Sequence, residues 1–166
     1  MNKNDLRYIK TEKLIKETYL NLKKKNCLIK VSDLCKSAMI NKSTFYAHYE
    51  TIEALHRSLC KETTVNILDN DLQLDSVISN TRLFVTSFIE AFRSNMTIKI
   101  LFDGDVVQIV NYIEEYLLEK YQKTKELKQK QKEIIFAIGG AAHLLMHNQS
   151  PDRVEATIKF IQKIIL

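Results

Sequence analysis

A chain of 166 residues with one Pro and three Gly has almost nothing that stops a helix or makes a tight turn. Strand-rich folds need such breakers at short intervals. Sandwich, barrel and collagen architectures are therefore excluded, and the expected fold class is all-α. Hydrophobic residues, 45% of the chain, supply enough apolar surface for a core. No apolar run reaches the roughly 18–20 residues of a membrane span. The polar start, Met1 to Arg7, lacks the apolar core of a signal peptide. The expectation is a cytoplasmic protein with no membrane partner. Cys27, Cys35 and Cys60 are odd in number and lack metal-ligand or Cys-x-x-Cys spacing, so they read as buried free thiols.

Charge is unevenly placed. Through Glu62 the chain carries 13 Lys or Arg against seven Asp or Glu, a net of +6, while the remainder carries 12 against 13. The whole excess of positive charge thus lies in the N-terminal third, the footprint of an anion-binding head on a neutral body. A solvated lysine-rich surface is the plainer alternative.

Apolar spacing predicts a first helix over about Asp5–Lys25, with Leu6, Ile9, Leu14, Ile15, Tyr19, Leu20 and Leu22 among charges. After a break at Asn26–Lys30, a short helix over about Val31–Ser37 has Ser32 and Asp33 in its first turn. Ala38-Met39-Ile40 is a tight connection. Asn41 is placed to cap a third helix over about Lys42–Tyr49, and Thr51 to cap a fourth over about Ile52–Leu68. Residues from Asp69 to Asp75 read as a loop. The expected domains are 1–50, a helix-turn-helix head, and 69–166, a sensing and dimerising body, linked by helix 51–68.

Within the body, Leu83, Phe84, Val85, Phe88, Ile89 and Phe92 form an apolar stripe. Met96–Phe102 reads as a short helix. Asp103 or Asp105 caps a further one to about Gln122, with Val106, Val107, Ile109, Val110, Ile113, Leu117 and Leu118 facing inward. The charged stretch Lys123–Lys132 leads into a helix over Ile134–His147. Ser150-Pro151-Asp152 then starts the last helix, carried inward by Val154, Ile158, Ile161 and Ile165.

Two short helices joined by a tight turn after a long one suggest helix-turn-helix geometry. If Phe45 faces the core, Tyr49 lies about 40° away on the helical wheel and joins it. The opposite face holds Ser43 and Ala47, flanked by Thr44 and Tyr46. Small central residues let such a helix enter a groove, while the flanking hydroxyls reach phosphate oxygens and Lys42 adds a cation. A short surface helix merely anchored by Phe45 is the alternative.

Val31-Ser-Asp-Leu-Cys-Lys-Ser-Ala38 followed by Ile40-Asn-Lys-Ser-Thr-Phe-Tyr-Ala-His-Tyr49 resembles the signature of TetR/AcrR transcriptional regulators. The likeness covers about Lys10–Leu59. It implies a homodimer whose N-terminal heads bind a double-stranded DNA operator and whose helical body senses a small-molecule effector. Carried over by position, it implies that Thr44, Tyr46 and His48 contact phosphates. Lys42 and Ser43 would sit at base edges, and Ser32 would approach the backbone from the preceding helix. The chain departs from the family pattern in three places. Met39 stands where glycine is usual, so the turn is expected to form without an easy positive φ. Ile52 replaces a lysine, and Ser43 the usual small residue.

Other constellations favour packing. His143 and His147 are four apart, a metal-compatible spacing without a third ligand. Glu114 and Glu115 are adjacent and diverge on a helix. No Ser-His-Asp order, Gly-rich phosphate loop or zinc spacing occurs, so no catalytic site, metal or cofactor is expected. Lys123, Lys125, Lys128, Lys130 and Lys132 form a second basic run, read as a solvated helix start. An effector cavity is expected among Phe84, Phe88, Phe92, Tyr112, Tyr116 and His143, where aromatics gather on otherwise aliphatic helices. Gly139 and Gly140 lie inside a helix although each costs about 1 kcal/mol there relative to alanine. Close helix approach at a dimer interface with Ile158 and Ile161 is the expected compensation, with packing inside one chain as the alternative. The resemblance also implies pairing of the last two helices across a two-fold axis. The leading function is thus a dimeric repressor released by an effector. A helical interaction module, its basic head binding another macromolecule without operator specificity, is the second class.

Overall fold

The computed structural model describes residues 5–25, 28–70, 79–121, 131–146 and 150–165. Among the described residues there are nine α-helices and no strand. They are α1 (Leu6–Lys23), α2 (Val31–Ala38), α3 (Lys42–Tyr46), α4 (Ile52–Asn70), α5 (Thr81–Ser94), α6 (Met96–Phe102), α7 (Val106–Tyr121), α8 (Gln131–Met146) and α9 (Pro151–Ile165). No helix among them is long and apolar enough to cross a membrane. The chain forms two compact units, Met1–Cys60 and Lys61–Leu166, and the division falls inside α4.

In the first unit, Asp5 caps α1 by accepting from the Arg7 amide at 2.8 Å. The buried stripe of α1 is Tyr8, Ile15 and Tyr19, while Leu6, Ile9 and Leu14 face out. Leu34, Cys35 and Ala38 of α2, Phe45 of α3, and Tyr49, Leu55 and Leu59 complete this core. Cys35 and Cys60 are buried free thiols; Cys27 lies outside the described residues.

The turn after α2 is closed by two backbone bonds, Ile40 N–H to the Cys35 carbonyl (3.0 Å) and Met39 N–H to the Lys36 carbonyl (3.3 Å). This is the Schellman arrangement, whose pivot residue must be left-handed and is usually glycine. Met39 takes that position at φ 52°, ψ 43°, so the expectation of a turn without positive φ is corrected. The same bonds that close the turn hold an L-residue where a side chain costs roughly 1–2 kcal/mol.

α4 runs through Asp69 and Asn70, which the sequence places in a loop; the Asn70 side-chain Nδ2 donates to the Asn66 carbonyl at 3.0 Å in the last turn. The rest of that expected loop, from residue 71 to 75, lies outside the described residues. In the second unit α8 packs on α5, α7 and α9, burying Ile134, Ala137, Ile138, Ala141, Ala142 and Leu144. Asp105, not Asp103, caps α7 by accepting from the Gln108 amide at 3.0 Å, while Asp103 ends α6 in the left-handed region at φ 47°. Val107, Leu118 and Leu83, expected in the core, are exposed, because each lies off its helix's buried stripe.

Met39 is 92% exposed, so its side chain contributes no packing to offset its backbone conformation. Met39→Gly is expected to stabilise the chain by about 0.5–1 kcal/mol, the relief of left-handed strain less the extra unfolded-state entropy of glycine. Urea unfolding followed by circular dichroism measures it. An unchanged or lower midpoint would contradict the account.

Candidate nucleic-acid interface

α3 holds five residues, shorter than the span to Tyr49 expected from the sequence. Its hydrogen-bond ladder nevertheless runs on, with the Ala47 amide bonding Ser43 at 3.0 Å and the Tyr49 amide bonding Phe45 at 2.9 Å. The wheel therefore still applies, and Phe45 and Tyr49 are both buried as placed. Outward stand Lys42, Ser43, Tyr46 and Ala47, with Thr44 half-buried and Ser32 exposed on α2. Asn41 occupies the cap position, and its carbonyl accepts from the Thr44 and Phe45 amides. Its side chain makes no capping bond, contrary to expectation, and stays available at the surface.

His48 departs from its expected part. Its ring stacks on Tyr8, centroids 3.9 Å apart and planes at 25°. Both ring nitrogens are buried and have no hydrogen-bond partner among the described residues. A phosphate could not reach them without the ring leaving its stack. Beside it, the Tyr49 hydroxyl donates to Glu12 at 3.0 Å, and Glu12 pairs with Lys16 at 3.2 Å. Tyr8 and Glu12, one turn apart on α1, thus hold the far end of the α3 segment. Sequence reasoning missed both. The available signal was the run Tyr8, Glu12, Lys16 at four-residue spacing, which places a ring and an ion pair on one face.

Burial sets the protonation of this region. Desolvation lowers the His48 pKa, opposed by the Glu12 charge. Desolvation would raise Glu12, but the Tyr49 hydroxyl and the Lys16 ammonium outweigh it and leave the carboxyl lowered. A second cluster joins Tyr19 Oη to His56 Nδ1 at 3.0 Å and Cys60 Sγ to His56 Nε2 at 3.5 Å. Burial pushes the Tyr19 and Cys60 pKa values up to about 12, and desolvation with Lys23 nearby lowers His56. All three groups are neutral at pH 7. A thiol held that high is a poor nucleophile, so the cluster works as packing.

Compared with protein-family models, curated proteins and solved structures, the chain matches none of them.

The expected effector residues do not gather in one place. Phe84 and Phe88 fill the core of the second unit, their rings 5.9 Å apart, because α5 packs on α8 and α9. The Tyr116 hydroxyl bonds the Asp69 carboxylate, and Tyr112 meets Phe102 edge to face at 6.0 Å. His143 is exposed. Only Phe92 of the six lines a cavity of about 330 Å³ formed with Ile98, Phe102, Val106 and Ile109, where Arg93, Lys99 and Gly104 complete the wall.

The expected dimer residues are also redistributed. Ile158 and Ile161 are 1% and 0% exposed within the single chain, so they belong to its own core rather than to a partner-facing surface. A Cβ on Gly140 would meet Ile161 Cδ1 at 3.1 Å. Gly140 therefore serves the close approach of α8 and α9 inside one chain. Gly139 faces outward with nothing within 4 Å of an added Cβ, between exposed Phe136 and His143 on the same α8 face. The Phe136 ring lies 5.9 Å from Phe160 of α9. Among the described residues no three His, Cys, Asp or Glu side chains cluster to hold a metal; His147 and residues 123–130 of the second basic run lie outside the described residues.

Because His48 and His56 have lowered folded-state pKa values, the unfolded chain binds more protons below its own histidine pKa of about 6.5. Their stabilising contribution is present above about pH 6.5, begins to be lost below it, and is lost as pH falls through the lowered folded-state values. Thermal unfolding from pH 7.5 to 5 is expected to show a falling midpoint. His48→Phe should flatten that slope and keep the midpoint at pH 7.5, since a ring with no polar partner is replaced by an apolar one. A steeper slope, or collapse of the midpoint, would show that the imidazole is bonded.

Proposed function

We propose that the chain is a TetR-like DNA-binding transcriptional regulator, a repressor that binds a palindromic operator as a homodimer and is released by a small-molecule effector. One observation carries this reading: two short helices joined by a tight turn, in the basic third of the chain, expose Ser43 opposite the buried Phe45, with Lys42 and Tyr46 also exposed to either side. Exposed hydroxyls and an ammonium on a short, tightly backed helix suit phosphate walls on either side of a groove. Ser32 and the uncapped Asn41 amide stand on the same helix–turn–helix segment, and asparagine pairs well with adenine edges in the major groove. His48 supports the interface through its stack on Tyr8 and not by touching phosphate.

For the dimer, the outer face of α8 and α9 is the favoured surface. Phe136, Phe160 and Ile164 are 46%, 56% and 41% exposed, and Gly139 sits among them where a helix gains nothing internally from glycine. Two copies related by a two-fold axis would cover this face and set the recognition helices to successive major-groove faces, about 34–36 Å apart or wider.

The test uses fluorescence anisotropy with duplexes from the DNA flanking the chain's own gene. Saturable binding that resists competitor DNA is expected. Lys42→Ala, Thr44→Ala and Tyr46→Ala should each weaken it about tenfold. Lys42→Ala should also reduce the log–log salt slope by about one unit, whereas loss of the neutral Thr44 or Tyr46 hydroxyl should leave the slope unchanged, with helicity unchanged in all three. Equal affinity for all duplexes, or wild-type binding by all three variants, would refute operator recognition. Phe160→Glu, an exposed site, should give folded monomers by light scattering. A folded variant that stays dimeric would remove this face from the assembly.

A further inference from the structure

The cavity among α5, α6 and α7 has a one-sided chemistry. Its floor is apolar: Phe92, Phe102 and Ile109 are each buried, and their rings and branches face a space of about 330 Å³. Gly104, at φ 84° with nothing within 4 Å of an added Cβ, leaves one side of that space open. Among the described residues the only charged side chains in the lining are Arg93 and Lys99, both cations. Arg93 is anchored by donating to the Leu144 carbonyl oxygen at 3.1 Å. Among the described residues the Lys99 ammonium has neither a hydrogen-bond nor an ion-pair partner.

A wall of this kind selects by charge as well as by shape. Covering the apolar floor favours any hydrocarbon group, at about 25 cal/mol per Å² removed from water. Two cations without an acid in the lining then separate ligands by their polar end. An amine is repelled, a neutral alcohol gains an ordinary hydrogen bond, and a carboxylate gains charge-assisted ones. The volume stands at the small end of the range of ligand sites, about 300–1,000 Å³.

We propose that this cavity binds a small amphiphilic monocarboxylate, its hydrocarbon body against Phe92, Phe102 and Ile109 and its carboxylate held by Lys99 and Arg93. As the effector class of a regulator this rests on the function proposed above; as a binding site it stands independently of DNA.

The experiment titrates the full chain with octanoate, octan-1-ol and octylamine by isothermal titration calorimetry at low salt. Octanoate is expected to bind saturably at one site, at least fivefold tighter than octanol, with octylamine weakest. Lys99→Gln, an exposed position that should not disturb folding, is expected to weaken octanoate about fivefold and leave octanol unchanged. Equal affinity for the three compounds, insensitivity of octanoate to Lys99→Gln, or no saturable octanoate binding would each overturn the proposal. Adding the operator duplex separates the two readings. Octanoate binding that leaves DNA affinity unchanged upholds the site and removes its role as the effector site, while absence of saturable operator binding counts against the regulator. Operator binding by a chain that ignores octanoate upholds the regulator and removes this ligand class.

Discussion

Everything the candidate interface presents depends on the burial of Phe45. A five-residue helix has no stability of its own, since nucleating a single turn costs more than its few hydrogen bonds return. α3 exists because Phe45, 0% exposed, and Tyr49 are held in a core made by α1, α2 and the start of α4. That anchoring decides which side chains face water. With Phe45 inward, Ser43 and Ala47 on the opposite face are turned to water, Lys42 and Tyr46 beside them are exposed, and Thr44 and His48 lie at the margin. The polar face is thus a consequence of one apolar contact, and its rigidity is that of the core behind it.

That contact was legible in the sequence because it obeys a period. The four-residue spacing of Phe45 and Tyr49 sufficed to orient the helix, just as the scarcity of glycine and proline sufficed for the all-helical class. What could not be read were features set by neighbours distant in sequence. Nothing local to His48 says that Tyr8, 40 residues earlier, will cover its ring. Met39 shows a different limit. Composition argued against a left-handed residue there, yet the turn's two backbone bonds require one, and the demands of closing the turn outweigh the preference of the side chain.

The second unit makes the same point with glycine. Adjacent glycines inside α8 announced close helix approach, but periodicity places neighbours about 100° apart on the helix and so gives them different surroundings. Gly140 admits Ile161 within the chain, and this inward side takes Ile158 and Ile161 out of any interface. Gly139 is left on the outside beside Phe136, where no contact with the described residues accounts for it. The aromatic stripe of α5 divides likewise: Phe84 and Phe88 fill the core, while Phe92, one turn further on, borders the cavity. A stripe read from sequence is uniform; packing distributes its members between structure and site.

Charge follows a logic separate from packing. Protonatable groups buried in the first unit are kept neutral, with the His48 and His56 pKa values lowered and those of Tyr19 and Cys60 raised, each chiefly by loss of water. Glu12 is the exception, and it is ionised because Tyr49 and Lys16 solvate it in place of water. Apart from the half-buried Lys16 and Lys23, the lysines and arginines of this part of the chain that the structure describes are exposed. Salt can screen such exposed cations, and exposed pairs such as Lys13 with Glu17 add little to stability. Lys16, half-buried against Glu12, is a cation that the packing uses, while the exposed charges around it can change without altering the core.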